Sequence, residues 1–300
     1  MDNRMKEQSM SLRRSVLYMP ASNERALAKS PSLACDSIIF DFEDAVGPDE
    51  KAAARERLLA FLSGAGRPQR ELVIRINALD SEWGRDDLAA ACACRPDAIL
   101  IPKVEGVETL REVDRALAEL NAPADLKLWA MMETPRSILN AGTIADYARD
   151  PSSRLDCLVV GPNDLARATC MVPGPDRANL LPLLLQVVLC ARAGGITALD
   201  GVSNNFRDLE AFASECRQGR ELGFDGKTLI HPAQIDGANR IFGPTDEEVA
   251  EAEAIVAEFA EPENSTRGVI SMGGKMVERL HLEMARSLLE KARLIRERTQ

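Results

Sequence analysis

A closed (β/α)8 TIM barrel, class α/β, is the fold this sequence predicts, and three observations lead to it. Eight short β-branched or apolar runs recur along the chain, alternating with segments of helical length. Several of these runs are almost continuously apolar, as strands buried on both faces of a parallel sheet must be. Polar residues collect at the ends of many of the runs, where a barrel sets them around one mouth.

In order, the strand candidates are SVLYMP (15 to 20), SIIFDFED (37 to 44), LVIRIN (72 to 77), AILIPK (98 to 103), KLWAMMET (127 to 134), CLVVGPND (157 to 164), ITALDGV (196 to 202) and GKTLIHP (226 to 232). Helical segments between them include 48 to 63, 105 to 120, 177 to 193 and 205 to 222. The competitor is a doubly wound open sheet. Neither G-x-G-x-x-G nor G-x-x-x-x-G-K-[ST] follows the first strand, so the phosphate-binding fingerprints of the common open-sheet folds are missing.

The domain expectation is a flexible N-terminus over 1 to 12, a barrel over 13 to 260, and a C-terminal arm and helix over 261 to 300 that could cover a neighbouring subunit. Turn and breaker residues in EPENSTRGVISMGGK (261 to 275) suggest a flexible arm. Beyond it, Val277, Leu280, Met284 and Leu288 recur at helical spacing and predict an amphipathic helix in need of a partner surface.

A net charge of −10 argues against a dedicated nucleic-acid or anionic-membrane binder. The N-terminus lacks the apolar core of a signal peptide, and no apolar run reaches the ~20 residues of a membrane span, so a cytoplasmic protein is expected. Seven cysteines without C-x-x-C spacing read as reduced thiols, mostly within apolar segments.

Glu133 ends the fifth strand and Asp164 the sixth, which a barrel places side by side at its mouth. Two such acids repel unless a cation neutralises them, and two carboxylates plus water and substrate oxygens suit Mg²⁺. With only His231 and His281 in the chain, zinc is disfavoured. The alternative is a pair of helix N-caps, since Thr134 or Asp164 precedes a helix in each case.

Arg75, ending the third strand, is placed to grip a substrate carboxylate or to pair with Asp41, Glu43 and Asp44. Those three acids read as an outer layer that orients the arginine, though the run could itself bind metal. His231, followed by proline, reads better as a turn element than as a base. Lys103 suits an acid or a phosphate, and Arg14, Lys51 and Lys103 are candidate neighbours of an acyl-CoA.

Nine motifs then stand in order: R-S-V-L-Y-M-P (14 to 20), D-F-E-D-A-V (41 to 46), R-I-N (75 to 77), I-P-K (101 to 103), E-T-P (133 to 135), G-P-N-D-L-A (161 to 166), D-G-V (200 to 202), G-F-D-G-K-T-L-I-H-P (223 to 232) and G-K-M-V-E (274 to 278). Together they resemble the citrate lyase β-subunit-like family, which includes malyl-CoA and citramalyl-CoA lyases and belongs with the HpcH/HpaI aldolases. The resemblance implies a (β/α)8 barrel, Mg²⁺ on Glu133 and Asp164, substrate held with help from Arg75, and a homo-oligomer, commonly a trimer or hexamer. It also implies an acidic residue carried by the C-terminal arm over a neighbouring barrel, which corresponds to Glu278 here. Many members have Asp at that position, and the family pattern E-T-A-x-G reads Glu133-Thr134-Pro135-Arg136-Ser137 in this chain.

The activity so implied is carbon–carbon lysis of a β-hydroxy acyl-CoA of the malyl-CoA or citramalyl-CoA type into acetyl-CoA and a 2-oxo acid, with Arg75 and Glu278 as catalytic residues. Glu278 would protonate the enolate carbon. Rival readings are a malyl-CoA thioesterase using the same metal site, a carrier-dependent citrate lyase β subunit, and a non-catalytic scaffold.

Overall fold

The computed structural model describes residues 11 to 64, 66 to 174 and 176 to 299. The N-terminus expected to be flexible lies outside these residues up to position 10. Two compact units emerge, Arg13–Asn239 and the chain from Arg240 onward.

Eight parallel strands close the first unit into a barrel in simple sequence order: β1 (Ser15–Pro20), β2 (Ser37–Asp41), β3 (Glu71–Arg75), β4 (Ala98–Ile101), β5 (Lys127–Met132), β6 (Leu155–Val160), β7 (Thr197–Asp200) and β8 (Gly226–Leu229), with β8 pairing back to β1. Helices follow the strands: α1 (Glu24–Lys29), α2 (Lys51–Ser63), α3 (Gly84–Cys94), α4 (Val107–Glu119), the pair α5 (Pro135–Leu139) and α6 (Ala141–Tyr147), the pair α7 (Pro162–Thr169) and α8 (Leu181–Gly194), α9 (Leu209–Leu222) and α10 (Ile235–Phe242). All eight expected strands are present. Most stop one to three residues short of the sequence expectation, because ladder pairing ends where the polar residues leave the barrel wall.

Alternate strand residues fill the interior, among them Val16, Ile39, Val73, Leu100, Trp129, Met131, Val159 and Leu199. Below this layer Arg13 bridges Glu71 and Asp156 at 2.6 Å each, hydrogen-bonds Thr197 and lies over Trp129. That buried ion cluster plugs the N-terminal end and leaves the opposite end for a site.

The second unit holds α11 (Asp246–Ala260), strands β9 (Val269–Met272) and β10 (Lys275–Glu278), and α12 (Arg279–Thr299). Position 260, the expected end of the barrel, is the last residue of α11, which packs against α12. The segment expected as a flexible arm contains an antiparallel hairpin. Gly273 and Gly274, at φ +57° and +77°, make the left-handed turn that fits the twist of such a hairpin. Ile270 and Val277 pack there with Phe259 and Leu282. The expected apolar face of the last helix is also shifted: Leu282, Ala285 and Ala292 are buried, whereas Leu280 and Met284 are exposed. Val277 belongs to the hairpin, so counting from it started the helical period too early.

No described helix is long and apolar enough to cross a membrane.

Candidate active site at the barrel mouth

Strand register builds the site. Asp41 and Arg75 are ladder partners at the ends of β2 and β3, so their side chains leave the barrel together. The carboxylate takes two hydrogen bonds from the guanidinium, Nε to Oδ1 at 2.7 Å and Nη2 to Oδ2 at 2.6 Å. It also accepts the backbone N–H groups of Glu43 and Ala45, which ties down the loop after β2. The face of Tyr18 lies 4.9 Å from the guanidinium carbon and completes its cradle.

Arg75 Nη1 is 2.8 Å from Glu43 Oε2 and 3.3 Å from Asp44 Oδ2. The contact with Glu43 is an ion pair without hydrogen-bond alignment, and that oxygen is buried with no hydrogen-bond partner. Lys103 Nζ reaches the other oxygen of Glu43 at 3.1 Å. Burial, reinforced by Asp44, nevertheless pushes the Glu43 carboxyl above its ordinary range against the pull of Arg75 and Lys103.

Glu133 directly follows β5 and is 2% exposed. Its Oε1 accepts the backbone N–H of Lys103 at 2.8 Å. Lys103 presents that N–H from a left-handed conformation, φ +49°, unusual for a residue with a side chain. Burial first, then the charge of Glu43, raise the Glu133 carboxyl to about 7, and Asp164 pushes the same way. Asp164 is the third residue of α7 and binds Arg167 at 2.5 Å.

The helix-cap alternative holds at one position and fails at the other. Thr134 caps α5 through a capping box with Ser137, whereas Gly161 and not Asp164 occupies the cap of α7, and neither acid is itself a cap. Five acids, Asp41, Glu43, Asp44, Glu133 and Asp164, thus meet three cations, Arg75, Lys103 and Arg167. This surplus of negative charge around a buried carboxyl fits a divalent cation. The described residues hold no cluster of three or more His, Cys, Asp or Glu suited to a metal.

Other expected residues fall elsewhere. Arg14 precedes β1, at the end of the barrel opposite the mouth, with its guanidinium bound to both oxygens of Asp36. Lys51 does sit on the mouth side, but its ammonium donates to the carbonyls of Phe42 at 2.7 Å and Glu43 at 2.9 Å. It holds a loop together and has little left for a phosphate. His231 accepts the backbone N–H of Ala233 and stacks on Phe206, the turn role its proline suggested.

Sequence reasoning missed three features. Tyr18 continues the inward alternation of Val16, a pattern visible in the first strand. Gly161 is needed for close approach, since a Cβ there would lie 2.5 Å from Glu133 Cβ. Lys227 is fully buried in β8, bonded to Asp200 at 2.8 Å, and Arg177 reaches the same carboxylate. A lysine inside an apolar strand was the available signal.

The HpcH/HpaI aldolase/citrate lyase family model matches residues 14 to 232. The chain belongs to that family. Among its relatives is a (3S)-malyl-CoA thioesterase of Cereibacter sphaeroides, 47% identical over 282 residues, covering 94% of this chain and 95% of the relative. The citrate lyase subunit beta of Haemophilus influenzae is 35% identical, covering 95% and 98% of the two chains. Family likeness extends to solved structures: the protein CitE from Mycobacterium tuberculosis in complex with magnesium, acetoacetate and coenzyme A aligns with a TM-score of 0.72 at 27% identity, over 93% of this chain and 97% of that one.

Proposed function

We propose that this protein is a Mg²⁺-dependent enzyme that hydrolyses the thioester of a β-hydroxy acyl-CoA of the malyl-CoA type. The observation that carries the reading is the 47% identity to the malyl-CoA thioesterase across 94% of this chain. The mouth geometry supports it.

Glu133 and Asp164 are the residues that would hold Mg²⁺. When bound, the ion supplies Lewis-acid polarisation of the substrate oxygens. Arg75, pinned by Asp41 and Tyr18, offers Nη1 to the substrate carboxylate in place of Glu43 and Asp44. Lys103 keeps Glu133 in place through its backbone and balances Glu43 through its ammonium. Hydrolysis adds hydroxide from water to the acyl carbon, breaks the C–S bond, and returns the water proton to the departing thiolate. Glu278, the acid/base candidate from the family resemblance, is assigned that proton.

Carbon–carbon cleavage to acetyl-CoA and a 2-oxo acid is the second reading, favoured by the citrate lyase beta relative. It uses the same grip on the substrate and asks Glu278 to protonate the enolate carbon. A cytoplasmic homo-oligomer, trimer or hexamer, goes with either reading, and the exposed Leu139, Leu185 and Leu189 of the barrel unit support a subunit contact.

Incubating the purified chain with malyl-CoA and Mg²⁺ separates the two. The expected products are free thiol and malate; glyoxylate with acetyl-CoA would replace the first reading by the second. Glu133→Gln and Asp164→Asn should each abolish Mg²⁺ binding in calorimetry. Glu278→Gln should retain it while losing turnover by about 10²–10⁴-fold.

A further inference from the structure

Helices α5 and α11 begin with complete capping boxes, Thr134 with Ser137 and Thr245 with Glu248. In each, the cap side chain is committed to a backbone N–H of its own helix. The start of α12 is built differently. Glu278 closes the β10 ladder opposite Val269 and is the residue immediately before that helix. Its backbone N–H donates to Nδ1 of His281, the third helical residue, at 2.9 Å. This is the return half of a capping box, made by an imidazole in place of the usual Glu or Gln. An accepting Nδ1 carries no proton, so the ring is neutral with its proton on Nε2. Among the described residues the Glu278 carboxylate has no hydrogen-bond or ion-pair partner.

The chain on either side of Glu278 is held firmly. The Arg279 backbone N–H donates to the Gly268 carbonyl at 3.1 Å. Its guanidinium donates to the carbonyls of Arg267, at 2.9 Å, and Ser265, and lies 5.5 Å from the ring centre of Phe259. Val277 and Leu282, which flank the junction, are buried with the same phenylalanine. The freedom that remains is rotation of the peptide plane between Val277 and Glu278, which would swing the Glu278 side chain. The bond to His281 fixes that plane.

We infer that His281 is a positioning residue for Glu278, holding its backbone so that the free carboxyl keeps one direction for proton transfer. The inference rests on the acid/base role given to Glu278 above. An acid that must exchange its proton with a substrate cannot be oriented by strong hydrogen bonds of its own, because those would compete for the proton and shift its affinity for it. Orientation then has to come through the backbone. A glutamate in the position of His281 would offer the same acceptor, but it would set a second negative charge one helical turn from Glu278. The neutral imidazole supplies the bond without the charge.

Steady-state turnover of malyl-CoA by the full chain with Mg²⁺ tests this, at a temperature well below the melting transition of every variant. His281→Ala should lower kcat by about tenfold to 10²-fold, with KM and the Mg²⁺ affinity from calorimetry unchanged. His281→Gln, whose Oε1 accepts the same N–H, should recover most of the kcat. Thr245→Ala removes the cap of α11 and serves as the control: it should lower Tm and leave kcat as in the wild type. Wild-type kcat in His281→Ala overturns the inference, as does a glutamine variant as slow as the alanine one. An equal loss of kcat in Thr245→Ala overturns it too, because any loosening of these helices would then suffice. Full turnover in Glu278→Gln overturns the acid/base assignment and the inference with it, so the two failures are told apart.

Discussion

Gly161 and Glu133 meet where β6 leaves the barrel beside β5. A Cβ on Gly161 would stand 2.5 Å from Glu133 Cβ and 2.7 Å from its Oε2. Real side chains do not tolerate such distances, so the position is closed to anything larger than glycine while Glu133 stays put.

Gly161→Ala should therefore displace Glu133 without touching its chemistry. Displacement of about 1 Å costs on the order of 10²-fold in rate. Weaker Mg²⁺ binding should accompany the loss, whereas the far-ultraviolet circular dichroism stays that of an intact barrel. Full activity in this variant would remove Glu133 from the site.

The raised Glu133 carboxyl gives the metal-free protein a pH signature. Its folded pKa of about 7 lies above the ordinary 4.5, so the folded state binds the extra proton between those values. Its stabilising contribution is then complete below about 4.5 and lost as pH rises through about 7, a change on the order of 3 kcal/mol. Thermal melts without metal should show this fall, Glu133→Gln should flatten it, and Mg²⁺ should raise the wild-type Tm more at pH 8 than at pH 6. Melts that respond equally to Mg²⁺ at both pH values would contradict the assignment.

Asp200 and Lys227, also ladder partners, form a buried ion pair with Arg177 beside them. Burial alone would raise the Asp200 carboxyl, and the two cations overcome it and hold it below the usual range. Lys227→Met leaves that charge short of a partner, at a cost of about 3–5 kcal/mol in urea denaturation. Adding Asp200→Asn should recover part of the loss, since the double variant buries less unpaired charge. Strict additivity of the two substitutions would show that the pair is not coupled.

Much of this was legible in the linear sequence, and the reasons differ by residue. Runs such as SIIFD and LVIR are apolar on both faces, a pattern that only a sheet covered on both sides explains. The residues after them belong to the mouth because parallel strands all point one way. Arg14 breaks that rule from the other side, since a residue before a strand lies at the opposite end. The shifted face of α12 was not legible, because two glycines that read as loop punctuation in fact form a hairpin turn and reset the helical count.

The sequence by itself determined the barrel, the order of its strands and the presence of Glu133, Asp164 and Arg75 at one mouth, because strand periodicity and strand direction are local properties. Only the tertiary structure decided what those side chains do to one another. Register paired Asp41 with Arg75, the left-handed turn at Lys103 aimed an N–H at Glu133, and burial beside Glu43 raised that carboxyl to about 7. Each of these depends on distances between residues tens of positions apart, and a Coulomb interaction or a desolvation cost exists only once such distances are set.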